Sequence, residues 1–362
     1  MNCRRVSISS LASFTIVFGY CVLLQPCSAF DGIFEIEGKG YVIEDGADLS
    51  NLVFRNVRMR LYGVAHRARE MGGTNFDTFT KSAVFPEFRY IGHNIGYSGV
   101  EPLVLRNVRF DNSDLRNAVF GAVHFTNCSF RGANMSGVQD IYTVSSTRVN
   151  RAEYDSPEIM AFWAEYHDCD FTDATIDGAH LVRISGENFR STRTYKKSRE
   201  TKELIFEDGS PLWLRDCSLD GTSFKDYRIQ NIVLWDTSLK DCDFSGACLE
   251  HVVLGSSNNN WDEMRKHLLS TKNYYIGVFD KVSVGANFAD VDFSSMCFTY
   301  CVLYGNFANT DFTNSVITGS SFSGQNLTVD QIKSTWNYKS GRMAGINLPK
   351  EIQQALNAEQ VE

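Results

Sequence analysis

Residues Cys242–Leu254 read CDFSGACLEHVVL, and Asn306–Leu327 read NFANTDFTNSVITGSSFSGQNL. In both stretches a large apolar side chain returns every five residues: Phe244, Leu249, Leu254, and then Phe307, Phe312, Ile317, Phe322, Leu327. The first run extends back through Leu214, Leu219, Phe224, Ile229, Leu234 and Leu239. The second is preceded by Phe288, Phe293, Phe298 and Leu303, and slips by one residue into Phe307. An earlier run holds Leu105, Phe110, Leu115, Phe120, Phe125, Phe130 and Met135, and shorter ones sit at Leu49, Phe54, Met59 and at Phe171, Ile176, Leu181. Two places before a centre stands a mostly smaller residue, such as Val108, Ser113, Ala118, Cys128, Ala133 or Cys242. A period of five matches neither a helix at 3.6 nor a strand at 2. It matches a chain that turns a corner every five residues, with the centre and the smaller residue inside and three polar positions outside. Two places after a centre the sequence favours Asn, Asp or Gly, among them Asn107, Asn112, Asn117, Asn127, Gly221, Gly246, Asn309 and Asn314. These residues tolerate the positive φ that such corners need.

About thirty such units cover roughly half of the chain, and persistent self-similarity at a fixed period is the signature of a solenoid. The two quoted stretches resemble the pentapeptide-repeat family, whose consensus is roughly Ala-Asp/Asn-Leu-x-x. The resemblance implies an all-β solenoid, a right-handed quadrilateral β-helix with four pentapeptides per coil.

The sequence divides into a leader over residues 1–29, a repeat β-helix over 30–349 and a C-terminal helix or tail over 350–362. In the leader, Arg4 and Arg5 precede an apolar stretch, and small residues precede a cleavage position between Ala29 and Phe30. Four insertions interrupt the period at about 61–102, 139–166, 183–211 and 255–284. The later ones share a motif: Ser191-Thr192-Arg193-Thr194-Tyr195, Ser270-Thr271-Lys272-Asn273-Tyr274 and, near the end, Ser334-Thr335-Trp336-Asn337-Tyr338. Thr328 and Gln331 form a capping-box pattern ahead of the last copy, and Ser185 and Asn188 hold equivalent places ahead of the first. A short helix ending near each motif is expected. Tyr195, Tyr274 and Tyr338 are expected to pack on the coil, and are the candidate interaction spurs if they do not. In the tail, Ile352 and Leu356 mark an amphipathic helix that caps the open end of the solenoid.

Little in the sequence points to chemistry. Cys128, Cys169, Cys217, Cys242 and Cys301 fall at the inward small position, where a thiol substitutes for Ala, and Cys248 and Cys297 complete the seven beyond the leader. His124 and His180 sit at outward positions beside a centre, and His66 and His93 lie in the first insertion; no pair has metal-ligand spacing. No phosphate loop, dinucleotide fingerprint or nucleophile elbow is present. No catalytic residue, metal ligand or cofactor is therefore expected. The formal net charge is −8, and loss of the leader would remove two cations and no acids, so a basic nucleic-acid footprint is lacking. The expected function is that of a non-catalytic, exported scaffold or protein-interaction module, periplasmic or extracellular, without stable membrane insertion after cleavage. Its partner would be a protein or envelope component. Two other readings stand beside it: a DNA-mimicking topoisomerase inhibitor, if the protein is intracellular, and a carbohydrate- or ligand-binding module that uses the insertions.

Overall fold

A side chain that returns every five residues can line one core only if a whole number of such steps closes a turn, and the strand register shows that the number is four. The computed structural model describes residues 33–36, 39–42, 45–55, 58–60, 103–120, 123–146, 158–207, 209–255 and 260–359. Two compact units divide the chain, one made of Met1–Ile184 with Ser191–Thr194, the other of Ser185–Arg190 with Tyr195–Glu362.

In the first unit Leu103–Arg106 pairs in parallel with Val123–Thr126 at an offset of 20 residues. The same offset recurs at five-residue steps in the bridges Arg109↔Ser129, Asp114↔Asn134 and Val119↔Gln139. Four stacked sides per 20 residues define a right-handed quadrilateral β-helix, the hand that parallel connections adopt almost without exception. The next turn pairs at an offset of 41: Phe125 with Tyr166, Ser129 with Asp170, Gln139 with His180. The extra residues form an antiparallel hairpin of Ile141–Ser146 with Glu158–Trp163. Residues 61–102 lie outside the described part, between Arg60 and the strand at Leu103. Inside, Phe110, Phe130 and Phe171 stack with ring centres 5.1 and 5.2 Å apart, and Phe125 lies on Tyr166 at 5.2 Å. Corner residues Asn107, Asn112, Asn117 and Asn127 have φ between 53° and 57°. Asn127 Nδ2 donates to Asn107 Oδ1 at 2.6 Å, which ties one corner to the next.

In the second unit Arg228–Trp235 pairs with Cys248–Gly255, again at 20 residues. Further along, the offset falls to 19: Val302 pairs with Ser321, Cys297 with Val316, Asp292 with Asp311. One side of these turns has four residues, from Val284 to Phe288 and from Leu303 to Phe307, and this is the slip seen in the sequence. Gly305 (φ 151°) and Gly324 (φ 135°) stand on that shortened side. A Cβ at Gly305 would overlap the Ala286 carbonyl oxygen, and one at Gly324 that of Gly305. Phe279 stacks on Phe298 at 5.2 Å and Phe288 on Phe307 at 5.1 Å. From Phe288 to Phe322 every centre is buried; Leu327, where the chain leaves the coil, is only half-buried. The helix Lys350–Glu359 follows, with Leu356 buried. Among the described residues no helix is long and apolar enough to cross a membrane.

Candidate functional site

Each Ser-Thr-x-x-Tyr motif joins two short helices rather than ending one. Gly186–Ser191 is followed by Arg193–Thr201, Trp261–Ser270 by Lys272–Ile276, and Val329–Ser334 by Trp336–Lys339. The Thr between them is wholly buried in all three copies. Thr271 ends the first helix and caps the second: its hydroxyl donates to Leu268 O at 2.6 Å and accepts from Tyr274 N at 3.3 Å. Thr335 repeats the pattern with Ile332 O and Tyr338 N. The capping box read from Thr328 and Gln331 is present, and Gln331 Nε2 also donates to the Phe307 and Thr310 carbonyls. Ser185 Oγ accepts from Asn188 N at 3.0 Å, as its place in the sequence requires.

The motif carries the ladder of the coil across the helix junction. The carbonyls of Ser191, Ser270 and Ser334 accept from the N–H groups of Asp173, Gly246 and Asn314. Two residues on, the N–H groups of Arg193, Lys272 and Trp336 donate to the carbonyls of Ala174, Ala247 and Ser315. The fourth position then replaces a backbone carbonyl by a side-chain oxygen. Thr194, Asn273 and Asn337 accept from the N–H of Ile176 (3.0 Å), Leu249 (2.6 Å) and Ile317 (2.7 Å). Asn273 Nδ2 also donates to the carbonyls of Leu249 and Val278, both at 2.9 Å.

The three tyrosines differ in burial. Tyr195 is 4% exposed and lies 5.1 Å from the Phe189 ring, with its hydroxyl donating to Ser223 O at 3.3 Å. Tyr274 and Tyr338 are half-buried. The Tyr274 hydroxyl donates to Asp292 O at 3.3 Å. Burial raises the phenol pKa of both Tyr195 and Tyr274. The aromatic side chains most open to solvent on these spurs are neighbours of the named ones: Tyr275, 86% exposed, and Trp336.

Tyr275 and Ile276 stand beside an outward apolar column. Val278 pairs with Cys297 and Cys297 with Val316; Trp336 N bonds to Ser315 O one turn on, as Val316 N bonds to Met296 O. At the neighbouring corner Tyr300 and Val302 are exposed as well. Sequence reading missed this column because Val278, Cys297 and Val316 each sit just before a large inward residue, at a position that elsewhere carries polar residues, and Trp336 lies within the helical motif. Ala29 and Phe30, the expected cleavage position, lie outside the described residues.

Among the described residues no disulfide joins the seven cysteines that follow residue 29. Cys128, Cys169, Cys217, Cys242 and Cys301 are buried at the inward positions read from the sequence, and Cys248 and Cys297 are half-buried. Asp140, at the root of the hairpin, is fully buried. It accepts from Tyr166 Oη at 2.7 Å and Val182 N at 3.1 Å, and burial pushes its pKa up to about 8.

Residues 104–138 and 214–255 match the family described as pentapeptide repeats, in eight copies. No protein of curated function matches the chain in sequence. Among solved structures it is similar to HetL of the cyanobacterium Nostoc sp., a pentapeptide repeat protein involved in heterocyst differentiation regulation. The identity is 11% over 76% of this chain and 85% of HetL, with a TM-score of 0.24. It is also similar to QnrB1, a plasmid-mediated fluoroquinolone resistance protein, at 13% identity over 72% of this chain and 97% of QnrB1, with a TM-score of 0.21.

Proposed function

The chain is a pentapeptide-repeat protein, and from that premise we propose that it works without catalysis, as an exported scaffold that presents the spur-and-column face of its second unit to a protein partner. The observation that supports this reading is an outward apolar column exposed at its two ends, at Tyr275, Ile276 and Val278 and, three turns on, at Trp336, with half-buried Cys297 and Val316 between them. Exposed apolar residues grouped in this way mark interaction sites more often than scattered ones do. They stand on helices and a strand whose backbone is joined to the ladder of the coil. Export follows from the leader, and envelope or extracellular proteins are therefore the partners to test.

The experiment uses the full chain as bait against envelope and culture-medium fractions, alongside the variant Tyr275→Ser/Ile276→Ser/Val278→Ser. A specific protein recovered by the wild type and lost with the variant, at unchanged melting temperature, supports the reading. Equal recovery by both refutes the assigned face. N-terminal sequencing of protein found outside the cytoplasm should begin at Phe30; full-length protein confined to the cytoplasm would refute export.

A further inference from the structure

Stacking brings His124 against Glu165 and His167, which stand 41 and 43 residues further along the sequence. His124 lies opposite Glu165 in the parallel pairing of consecutive turns, and His167 stands opposite Thr126, two residues further on. The residues on either side of a centre face outward, so all three side chains share one outer face. His167 Nε2 is 3.1 Å and His124 Nε2 is 3.7 Å from the same carboxylate oxygen, Glu165 Oε2. One ligand atom from each residue lies within 4.8 Å of the other two. Arg183 Nη1 pairs with the other oxygen, Oε1, and so fixes the carboxylate with Oε2 turned to both imidazoles. The His124 Nε2 atom is buried and has no hydrogen-bond partner among the described residues. A buried polar atom left unsatisfied calls for an explanation, and an ion is one of the accepted ones.

We propose that His124 Nε2, His167 Nε2 and Glu165 Oε2 form a binding site for a divalent transition-metal ion of the zinc class. Two imidazoles and one carboxylate are the donor set that such ions take, and Mg2+ or Ca2+ would require more oxygens. Ligands at about 2.0–2.2 Å from a tetrahedral ion stand roughly 3.4 Å apart, and the two measured separations bracket that value. Arg183 acts on the carboxylate from behind, as outer hydrogen-bonding partners do in metal sites. The His167 side chain is half exposed, which gives the ion a way in and leaves the fourth position to water. The ion would clamp two turns together just where the 141–163 hairpin leaves and rejoins the coil.

The test is a titration of chelator-treated full-length protein with Zn2+ against a chromophoric competitor, repeated with Co2+ to record the visible absorption of a tetrahedral site. We expect one ion per chain, a melting temperature that rises with Zn2+, and binding weakened at least about tenfold by His124→Ala or His167→Ala. The His251→Ala variant is the control. The group Glu250, His251 and Asp280 offers only one imidazole, with His251 Nε2 3.6 Å from Asp280 Oδ2. Loss of binding in His251→Ala with retention in His124→Ala and His167→Ala overturns the assignment, as does the absence of saturable Zn2+ binding. Should His124→Ala melt below the wild type without metal, the exposed His167→Ala carries the decision. Retention of full affinity in a normally folded His167→Ala protein refutes the site.

Discussion

Replacing Asn273 by Ala tests what the repeated motif is for. The Asn273 side chain accepts one hydrogen bond and donates two, from Leu249 N and to the carbonyls of Leu249 and Val278. It is buried, so water does not reach the groups left behind. A buried donor or acceptor without a partner costs about 1–3 kcal/mol. With one N–H and two carbonyls affected, and the carbonyls able to keep other contacts, the loss should be about 3–5 kcal/mol. Tyr274→Ala removes a half-buried ring and one 3.3 Å bond, and should cost about 1–2 kcal/mol. Asn273→Asp keeps the acceptor but loses both donations and sets a carboxylate against two carbonyls, so it should lose at least as much as Ala. Urea unfolding gives the totals, and hydrogen exchange at the Leu249 amide gives the local effect. If Tyr274→Ala proves costlier than Asn273→Ala, the ring is what the motif serves and the ladder argument fails.

Three further outcomes are expected. Gly305→Ala places a Cβ against the Ala286 carbonyl at a left-handed φ and should cost about 4 kcal/mol, whereas Gly221→Ala, where a Cβ meets open space, should cost about 1 kcal/mol; equal losses in urea unfolding would refute the shortened-side reading. The folded-state pKa of Asp140 lies above its unfolded value of 3.8, so between those values the folded chain holds a proton that the unfolded chain has lost; stability should fall by about 2 kcal/mol from pH 6.5 to 8, level off above 8, and lose this slope in Asp140→Asn. Burial pushes the Cys242 thiol up to about 12 and Cys301 up to about 11, so a thiol reagent should reach Cys248 and Cys297 first in native protein; fast labelling of Cys242 or Cys301 would contradict their inward placement.

What could be read from the sequence is what repeats identically in sequence and space. Phe110 and Phe130 in the first unit, and Phe224, Phe244 and Phe298 in the second, recur at a fixed period because within each unit a channel of fixed width receives them, and the corner asparagines recur because each corner needs the same positive φ. The motif was legible as a motif, but its weight was read onto the tyrosines. Tyr195, Tyr274 and Tyr338 are identical letters, whereas the ladder position is Thr in one copy and Asn in two, since either side chain can offer the oxygen. The single helix expected at each motif is two helices, because a Thr can end one and cap the next. The cluster of His124, Glu165 and His167 was hidden for another reason. Its members are neighbours only after a 20-residue turn is lengthened by the hairpin at Ile141–Trp163, and no local spacing encodes the length of an insertion.

The helical inserts also explain why the second unit has a face with a character of its own. A uniform coil presents the same polar residues on every side, and any exposed strand edge invites indiscriminate pairing. In the second unit the helix pairs that follow Gly255 and Leu327 rejoin the ladder over the corners beyond Phe244 and Phe312, and both return it through an Asn side chain. The interior remains filled, since His267 sets its ring 5.1 Å from Phe244 and Ile332 is fully buried. Thr271 and Thr335 cap the second helix of each pair with their side chains, so the helix junctions add bulk to the coil without opening a strand edge. Tyr275 and Ile276 end one spur immediately before Val278 begins the apolar column, and Trp336, first residue of the second helix of the other spur, stands at its far end. Position on the outer surface is thus set by where the ladder is interrupted, and the column lies between the two interruptions. A variant that shortens Trp261–Ile276 to a plain five-residue side should keep the stacked phenylalanines and lose the partner; retention of the partner would place the interaction on the coil itself.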